Sequence, residues 1–286
     1  MSEALIKIVT SEIMGTIVMH TRFNRAYVGI LDIIKIALAT KIPLGATVIA
    51  PSGCGKTALI NCLTKAIPSR DPLYEGIRSI SVSAEANSTI GHLVSGLMKG
   101  LGYPPSIRAS TLYEQSSLLA SALRERGVIV VFIDESQHIF RGKRSNSAAA
   151  ITDWIKQISD EGEVVVVMLG TREMRSLFEF NEQLGSRAPA HFELREFERN
   201  AAWIGLLKKI SETVTKLDLS AIFTNLNKPL HLATGGALRP LKQLLLAGAM
   251  EAIEKKSSTL EQIHLASGYE KIFGADPRIP NPFLEG

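Results

Sequence analysis

The sequence predicts an α/β fold in which a central parallel β-sheet flanked by helices is followed by a small helical module. Three observations support this prediction. Short apolar blocks alternate with amphipathic helical stretches through the first two thirds of the chain, a pattern typical of a parallel sheet wrapped by helices. A glycine-containing segment, residues 50–57, joins the first strong apolar block to a helix. Strand patterns stop after about Phe197, and helical patterns continue.

Five apolar blocks are predicted to form the strands. Two of them, VIVVFI and VVVVML, are apolar without alternation, as expected for central strands that helices cover on both faces. The sheet is therefore predicted to be parallel and buried. In chain order the blocks are Leu44 to Ala50, Ile77 to Ser83, Val128 to Ile133, Val164 to Leu169 and His191 to Leu194.

A helix with an identifiable start lies between the second and third blocks. Thr111 can cap this helix, and Glu114 can reach back to the cap to close a capping box. The helix is predicted to continue to about Arg126 and to end at Gly127.

The helical module after Phe197 is divided by three polar or glycine-containing segments. We expect breaks at Lys228-Pro229, at residues 234–236 and at residues 255–258, with one helix beginning near Arg239. The tail from Gly274 is rich in proline and glycine and is predicted to be extended. The predicted division is an N-terminal helical segment at 1–43, an α/β core at 44–197, a helical lid at 198–273 and a tail at 274–286.

The segment APSGCGKT, residues 50–57, has the composition and the position of a phosphate-binding loop. Its small residues let successive backbone N–H groups surround a β-phosphate, and the N-terminus of the following helix adds positive charge. Lys56 would bridge the β- and γ-phosphates, and the Thr57 hydroxyl would coordinate Mg²⁺. Ala50 replaces the usual first glycine, which an extended backbone would allow. The alternative is a glycine turn that binds nothing. The predicted nucleotide-binding residues are Pro51, Ser52, Gly53, Cys54, Gly55, Lys56, Thr57 and Ala58.

Two adjacent carboxylates, Asp134 and Glu135, follow the strand VIVVFI. Ligands bind at the carboxyl ends of the strands in open α/β sheets. Asp134 would hold Mg²⁺, mostly through a coordinated water, and Glu135 would act as general base towards the attacking water. An acidic pair alone is usually only solvated. In a chain that also carries a phosphate loop, it predicts an ATPase.

Thr171 follows the next apolar strand, which we expect beside the strands that carry the loop and the acidic pair. Its hydroxyl could hydrogen-bond the γ-phosphate or the attacking water. It could equally cap a helix that begins at Arg172. Both roles stay open at this stage, since one residue can serve both.

Two arginines could reach a nucleotide from other parts of the chain. Arg187, in NEQLGSR, could act as an arginine finger on the γ-phosphate of an adjacent subunit. Arg239, at the start of a helix in the helical module, could touch the phosphates and report that ATP is present. Either could instead be an ordinary surface arginine.

The order of these motifs resembles that of the AAA+ ATPases and, more narrowly, that of the TniB/TnsC family of transposition ATPases. The resemblance spans roughly His20 to Phe283 and includes the DES-Q-H box, Gly-Thr after the fourth strand, QLGSR and GGALR. It implies an AAA+ P-loop NTPase fold with a compact helical lid, and an adenine pocket lined in part by residues between His20 and Val28. It implies nucleotide or catalytic roles for Lys56, Thr57, Asp134 and Glu135, and roles as sensor 1, arginine finger and sensor 2 for Thr171, Arg187 and Arg239.

The resemblance also implies a function. Members of the family bind ATP, assemble as rings or helical filaments on double-stranded DNA, mark the insertion site, and recruit and activate a transposase whose arrival is coupled to hydrolysis and release. The implied cofactors are therefore ATP and Mg²⁺. The implied partners are double-stranded DNA, further copies of the chain, a transposase and a target-selection protein of the TniQ type.

Candidate DNA contacts lie in two stretches of the chain. The first contains Lys99, Arg108, Ser110 and Thr111, and the second contains Arg141, Lys143 and Arg144. Because the family's contacts lie in the first stretch, the resemblance favours Lys99 and Thr111. No aromatic residues are interleaved for base readout, so binding should be largely independent of sequence. Isolated basic residues are more often only solvated.

The charge of the chain limits how it can bind DNA. It has 286 residues with 32 Lys and Arg against 28 Asp and Glu, which gives a net charge of +4. That excess is too small for tight binding by a monomer, whereas assembly of many copies along one duplex multiplies a few contacts. The two cysteines cannot form a disulfide framework or a zinc site. We expect a cytoplasmic protein without a membrane span or secretory signal.

Two other functions compete with this interpretation. A helper or motor ATPase of a secretion or pilus-assembly system shares this kind of core, but would typically carry a membrane anchor or peptidoglycan-binding extension, and neither pattern occurs in the sequence. A small-molecule kinase is less consistent, because Glu135 suits water activation and no arginine-rich catalytic lid follows.

Overall fold

The computed structural model describes residues 2–42, 44–68, 76–86, 88–103, 111–140, 145–175, 188–274 and 280–284. The strands are β1 (Ala46–Ile49), β2 (Ser79–Ser83), β3 (Val130–Asp134), β4 (Val165–Gly170) and β5 (Ala190–Glu193). The helices are α1 (Ser2–Gly15), α2 (Thr21–Thr40), α3 (Lys56–Ala66), α4 (Ile90–Gly100), α5 (Leu112–Glu125), α6 (Gln137–Phe140), α7 (Ser145–Gly162), α8 (Ala201–Thr213), α9 (Asn227–Thr234), α10 (Leu238–Glu254) and α11 (Gln262–Phe273).

The five strands form one sheet in the order β2-β3-β4-β1-β5, and every pairing is parallel. Each strand lies within two residues of its predicted bounds, so the five predicted strands and the parallel sheet are confirmed. Strand β4 is buried at every position and lies between β3 and β1. The expectation that it neighbours the strands carrying the loop and the acidic pair is thus correct.

The chain divides into two compact units. The core unit comprises Thr21–Ser52 and Lys56–Leu194, and the helical unit comprises Met1–His20, Gly53–Gly55 and Arg195–Gly286. Helix α1 therefore belongs with the C-terminal helices, whereas the predicted division treats residues 1–43 as one segment. Within the described ranges, no helix has both the length and the apolar character needed to cross a membrane.

The core unit is built around the sheet. Helices α4, α5 and α7 bury their apolar side chains together with those of β2, β3 and β4. Helix α2 packs against β5 and β1. It approaches β5 so closely that a Cβ atom on Gly29 would lie 2.5 Å from the ring of Phe192. Any larger residue at position 29 would therefore require the Phe192 ring to move.

Helix α5 confirms the helix that the sequence predicts. The Thr111 hydroxyl accepts a hydrogen bond from the Glu114 N–H at 3.2 Å, and the Glu114 carboxylate accepts the Thr111 N–H at 3.1 Å. This is the expected capping box. The helix ends at the capping residue Arg126, and Gly127 follows in the left-handed region with φ of 70°.

The helical unit has its own apolar core, in which Trp203 is fully buried and donates its indole N–H to the Asn227 carbonyl at 3.0 Å. Helices α10 and α11 meet through two glycines, since a Cβ atom on Gly268 would lie 2.8 Å from the backbone nitrogen of Gly248. Helix α1 packs on α10.

The attachment of α1 includes a half-buried charge. The Lys242 ammonium group on α10 donates to the Met14 and Thr16 carbonyls at 2.7 and 2.8 Å. Positive charge at the C-terminus of a helix is favourable, because the last carbonyls there have no partners within the helix. Burial nevertheless lowers the pKa of Lys242.

One predicted break in the helical module is wrong. Lys228 and Pro229 do not separate two helices but lie in the first turn of α9, Asn227–Thr234. Proline is tolerated there because the first N–H groups of a helix have no partner within it. The helix predicted near Arg239 is confirmed as Leu238–Glu254.

Candidate nucleotide-binding site

The predicted phosphate loop connects β1 to α3. Gly53 and Gly55 adopt φ of 81° and 99°, in the left-handed region that glycine tolerates best. Ala50 is not at positive φ, and its N–H continues the sheet by donating to the Gly170 carbonyl at 2.8 Å. The backbone at this position therefore accommodates alanine in place of the usual glycine.

The other loop residues differ in exposure. Cys54 is buried, Ser52 is exposed and Pro51 is half-buried. Thr57 is exposed in the first turn of α3, and the half-buried Ala58 follows it.

Lys56 is the first residue of α3, and only 7% of its surface is exposed. Its Nζ lies 3.3 Å from the Ala50 carbonyl oxygen and 3.3 Å from Oε1 of Glu135. A buried ammonium group needs compensating negative charge. Glu135 supplies that charge, so the structure brings two predicted site residues into direct contact.

Asp134 ends β3, and Glu135 follows it with φ of 51°. This left-handed conformation is uncommon for a residue other than glycine and is typical of functional sites. The Asp134 carboxylate accepts the Glu135 N–H at 2.8 Å, which holds the turn. Burial raises the pKa of Asp134 above its ordinary value, against the lowering effects of this hydrogen bond and of Lys56.

The pKa of Glu135 is shifted in the opposite direction from that of Asp134. Burial alone would raise the pKa of its carboxyl group, but the hydrogen bond from Gln137 and the charge of Lys56 outweigh burial and lower the pKa. The Glu135 side chain is therefore ionised at neutral pH, as a general base must be.

Gln137 contacts two predicted site residues, although the sequence pattern indicated no role for it. It begins α6, and only 5% of its surface is exposed. Its Nε2 donates to Oε2 of Glu135 at 2.6 Å, and its Oε1 accepts the Thr171 N–H at 3.1 Å. The available signal was an amide side chain two residues after the acidic pair, within the DES-Q-H box.

Thr171 follows β4 at the start of a short 3-10 turn, Arg172–Met174. Its side chain makes no capping hydrogen bond there, so the capping role is not observed. In the part of the chain that the structure describes, its hydroxyl is one of three buried side-chain polar atoms without a hydrogen-bond partner. Such an atom is costly to bury, and a bound phosphate or water would satisfy it.

Arg239 lies in the first turn of α10, within the helical unit. Its backbone N–H donates to the Gly53 carbonyl at 3.1 Å, and a Cβ atom on Gly53 would lie 2.9 Å from Cβ of Arg239. Gly53 belongs to the same unit, so the helical unit contains both Arg239 and the central residues of the phosphate loop.

The remaining predicted residues lie elsewhere. Lys99 is exposed in the last turn of α4, and Thr111 uses its hydroxyl to cap α5. Contact of these two residues with DNA stays a prediction. Arg187 lies outside the described residues, as do Arg108, Ser110, Arg141, Lys143 and Arg144.

This arrangement fits ATP with Mg²⁺. Gly53 and Gly55 have the left-handed backbone of a loop that can surround phosphates. Lys56 begins α3, and the N-terminus of a helix attracts anions. Lys56 supplies a positive charge, and Thr57 and Asp134 supply the oxygen ligands that magnesium prefers. The partnerless hydroxyl of Thr171 adds a hydrogen-bond donor at the end of the neighbouring strand.

A parallel sheet of this order, with a phosphate loop after β1, an acidic pair after β3 and a helical module after β5, defines the AAA+ class of P-loop ATPase folds. Within this class, the chain belongs to the family described as bacterial TniB protein. The model of that family matches residues 15–199. The predicted fold class and the resemblance to the TniB family are therefore confirmed. No curated protein matches the chain.

Solved structures with the same fold include ORC and Cdc6 proteins. The ORC2 protein of Aeropyrum pernix, in its ADPNP–ADP complexes, has a TM-score of 0.66 at 14% identity, over 86% of this chain and 66% of that one. The ORC1 protein of the same organism, in complex with DNA, has a TM-score of 0.64 at 18% identity, and the match covers 89% of this chain and 65% of that one. Cdc6p from Pyrobaculum aerophilum has a TM-score of 0.67 at 14% identity, and the match covers 94% of this chain and 73% of that one. The chain thus spans about two thirds of the length of the two ORC proteins.

Proposed function

We propose that the protein is an ATP-dependent DNA-binding regulator of transposition. It oligomerises on duplex DNA, marks the target site, and recruits and activates a transposase, and ATP hydrolysis drives its disassembly. The observation that carries the ATPase part is the contact between the buried Lys56 of the phosphate loop and the half-buried Glu135 after β3. Membership of the TniB family supports the link to transposition.

Nucleotide binding follows from the loop. The backbone N–H groups of Gly53 to Thr57 would bind the β-phosphate, and Lys56 would turn from Glu135 towards the β- and γ-phosphates. Thr57 would hold Mg²⁺ directly and Asp134 mostly through a coordinated water. When bound, the ion supplies charge that neutralises the phosphate oxygens.

Hydrolysis requires a base near the γ-phosphate. Glu135 would take a proton from a water whose oxygen attacks the γ-phosphorus as the bond to the bridging oxygen breaks and ADP leaves with the electron pair. The Thr171 hydroxyl would donate to the γ-phosphate or orient the water. Arg187 of an adjacent subunit would complete the site in the assembled state, and Arg239 would respond to the phosphates from the helical unit.

DNA binding rests on assembly. The solved ORC1 protein of this fold is in complex with DNA. A net charge of +4 provides few phosphate contacts in one chain, so stacked copies are needed for affinity. Contacts through Lys99 and Thr111 would follow the backbone of the duplex and show little sequence preference. A target-selection protein of the TniQ type would direct where assembly begins.

Replacement of Glu135 by glutamine tests this function. The Glu135→Gln variant should bind ATP with about wild-type affinity but turn it over about 10² to 10⁴ times more slowly, because the general base is lost. It should also stay on plasmid DNA for longer. Turnover is measured by phosphate release, and assembly by sedimentation and electron microscopy with ATP and duplex DNA.

The matched control is Glu161→Gln, in which the replaced carboxylate accepts a hydrogen bond from Ser117. It should hydrolyse ATP at the wild-type rate. A wild-type protein that sediments as a monomer with ATP and DNA at micromolar concentration would overturn the proposed assembly. Transfer of phosphate to a metabolite rather than to water would overturn the ATPase.

A further inference from the structure

We propose that Gln137 is a positioning residue that holds the Glu135 carboxylate in place relative to Thr171 during ATP hydrolysis. This inference rests on the proposed ATPase function and adds to it a residue that touches neither phosphate nor metal. It concerns how the base reaches and keeps its reactive position.

The side-chain amide of Gln137 uses both of its ends. Its N–H donates to one oxygen of Glu135 at 2.6 Å, and its carbonyl accepts the backbone N–H of Thr171 at 3.1 Å. These partners lie after neighbouring strands, β3 and β4. One buried side chain therefore connects the proposed base to the residue whose hydroxyl has no partner.

The two oxygens of Glu135 have different partners. Oε1 lies 3.3 Å from Nζ of Lys56, whereas Oε2 accepts the hydrogen bond from Gln137. Lys56 would leave Glu135 when it binds phosphates, whereas Gln137 would keep its contact with Glu135. The hydrogen bond from Gln137 would then keep Oε2 in place while Oε1 becomes available to water.

The position of Gln137 depends on Gly170. A Cβ atom on Gly170 would lie 2.5 Å from Oε1 of Gln137 and 2.3 Å from the sulfur of Met174. Any larger residue at this position would therefore displace the amide. The space that Gly170 leaves allows Gln137 to reach the N–H of the next residue, Thr171.

The first test replaces Gln137 by methionine, which has a similar length and no amide. Misplacement of a catalytic group by about 1 Å can cost about 10²-fold in rate. We expect kcat for ATP to fall about 10- to 100-fold in Gln137→Met, with nucleotide affinity within about twofold of wild type. Gln157→Met is the matched control, because Gln157 donates to Ser117 instead. It should keep the wild-type kcat.

Two further variants separate positioning from general damage. Gln137→Glu keeps an acceptor for the Thr171 N–H, but it places a second carboxyl group against Glu135. Two carboxyl groups in contact share one proton, so Glu135 would no longer be a fully ionised base and kcat should fall as well. In the Glu135→Gln background, single-turnover rates should not fall further when Gln137→Met is added, because both changes act on the same group.

The outcomes distinguish the inference from the function on which it rests. If the wild type hydrolyses ATP and Gln137→Met keeps its kcat, the positioning role is wrong while the ATPase stands. An additive loss in the double variant, or a loss confined to nucleotide affinity, would also overturn it. If the wild type hydrolyses no ATP with DNA present, the proposed function fails and the inference fails with it.

Discussion

Replacement of Gly53 by alanine should weaken nucleotide binding, because it strains the phosphate loop. Gly53 has φ of 81°, and in this region a Cβ atom costs about 1–2 kcal/mol. The added atom would also lie 2.9 Å from Cβ of Arg239, which cannot swing away as the end of a long side chain could. The loop in the variant would therefore leave this conformation when no ligand is bound.

Nucleotide binding would then have to restore the strained conformation. Because 1.4 kcal/mol corresponds to a factor of ten in Kd, a cost of about 1–2 kcal/mol predicts about 5- to 30-fold weaker binding. At saturating nucleotide, the gain in unfolding free energy on binding should fall by the same 1–2 kcal/mol or so. Titration with a fluorescent ATP analogue and denaturant unfolding with and without nucleotide measure the two quantities.

Gly235→Ala is the matched control for this prediction. Gly235 also has positive φ, 57°, but a Cβ atom there would meet nothing within 4 Å. This variant should lose stability from backbone strain and keep its nucleotide affinity. Binding by Gly53→Ala within twofold of wild type, or equal weakening in both variants, would refute the reasoning.

Two predictions concern the stability of the helical unit. Gly268→Ala should lower the free energy of unfolding by about 1–3 kcal/mol, because its Cβ atom would lie 2.8 Å from the backbone of α10. Gly205→Ala on α8, where the space is open, should be neutral or slightly stabilising in the same urea titration. The hydrogen bond from Lys271 holds the pKa of Glu251 below its ordinary 4.5. The ionised carboxylate therefore stabilises the fold fully above pH 4.5, and this stabilisation is lost as the pH falls through the lowered pKa. Glu251→Gln should therefore lose stability at pH 7 and show a weaker decline on acidification, and parallel wild-type and variant curves would contradict this.

The sequence predicted the sheet well because its signals are local. The blocks around Phe132 and Val167 are apolar without interruption, as expected for strands that are covered on both faces. The left-handed glycines and the first residue of α3 likewise follow from the order of residues within the phosphate loop.

The contacts of Gln137 could not be predicted in the same way. Its two partners, Glu135 and Thr171, are 2 and 34 residues away along the chain. Only the pairing of β3 with β4 brings the second partner within reach. The misplaced break at Pro229 has a similar origin, since proline is compatible with both a linker and the first turn of a helix.

The grouping of α1 with the C-terminal helices affects how the protein can be divided. Val9 and Ile13 are fully buried within the same apolar cluster as Trp203 and Leu241. A fragment that begins after Leu194 would lack these side chains, and burial of each contributes about 1.5–3 kcal/mol. The two termini of the α/β core are therefore poor places to cut the chain. A label attached ahead of Ser2 would report on the helical unit, although residues 21–194 separate α1 from the C-terminal helices in the sequence.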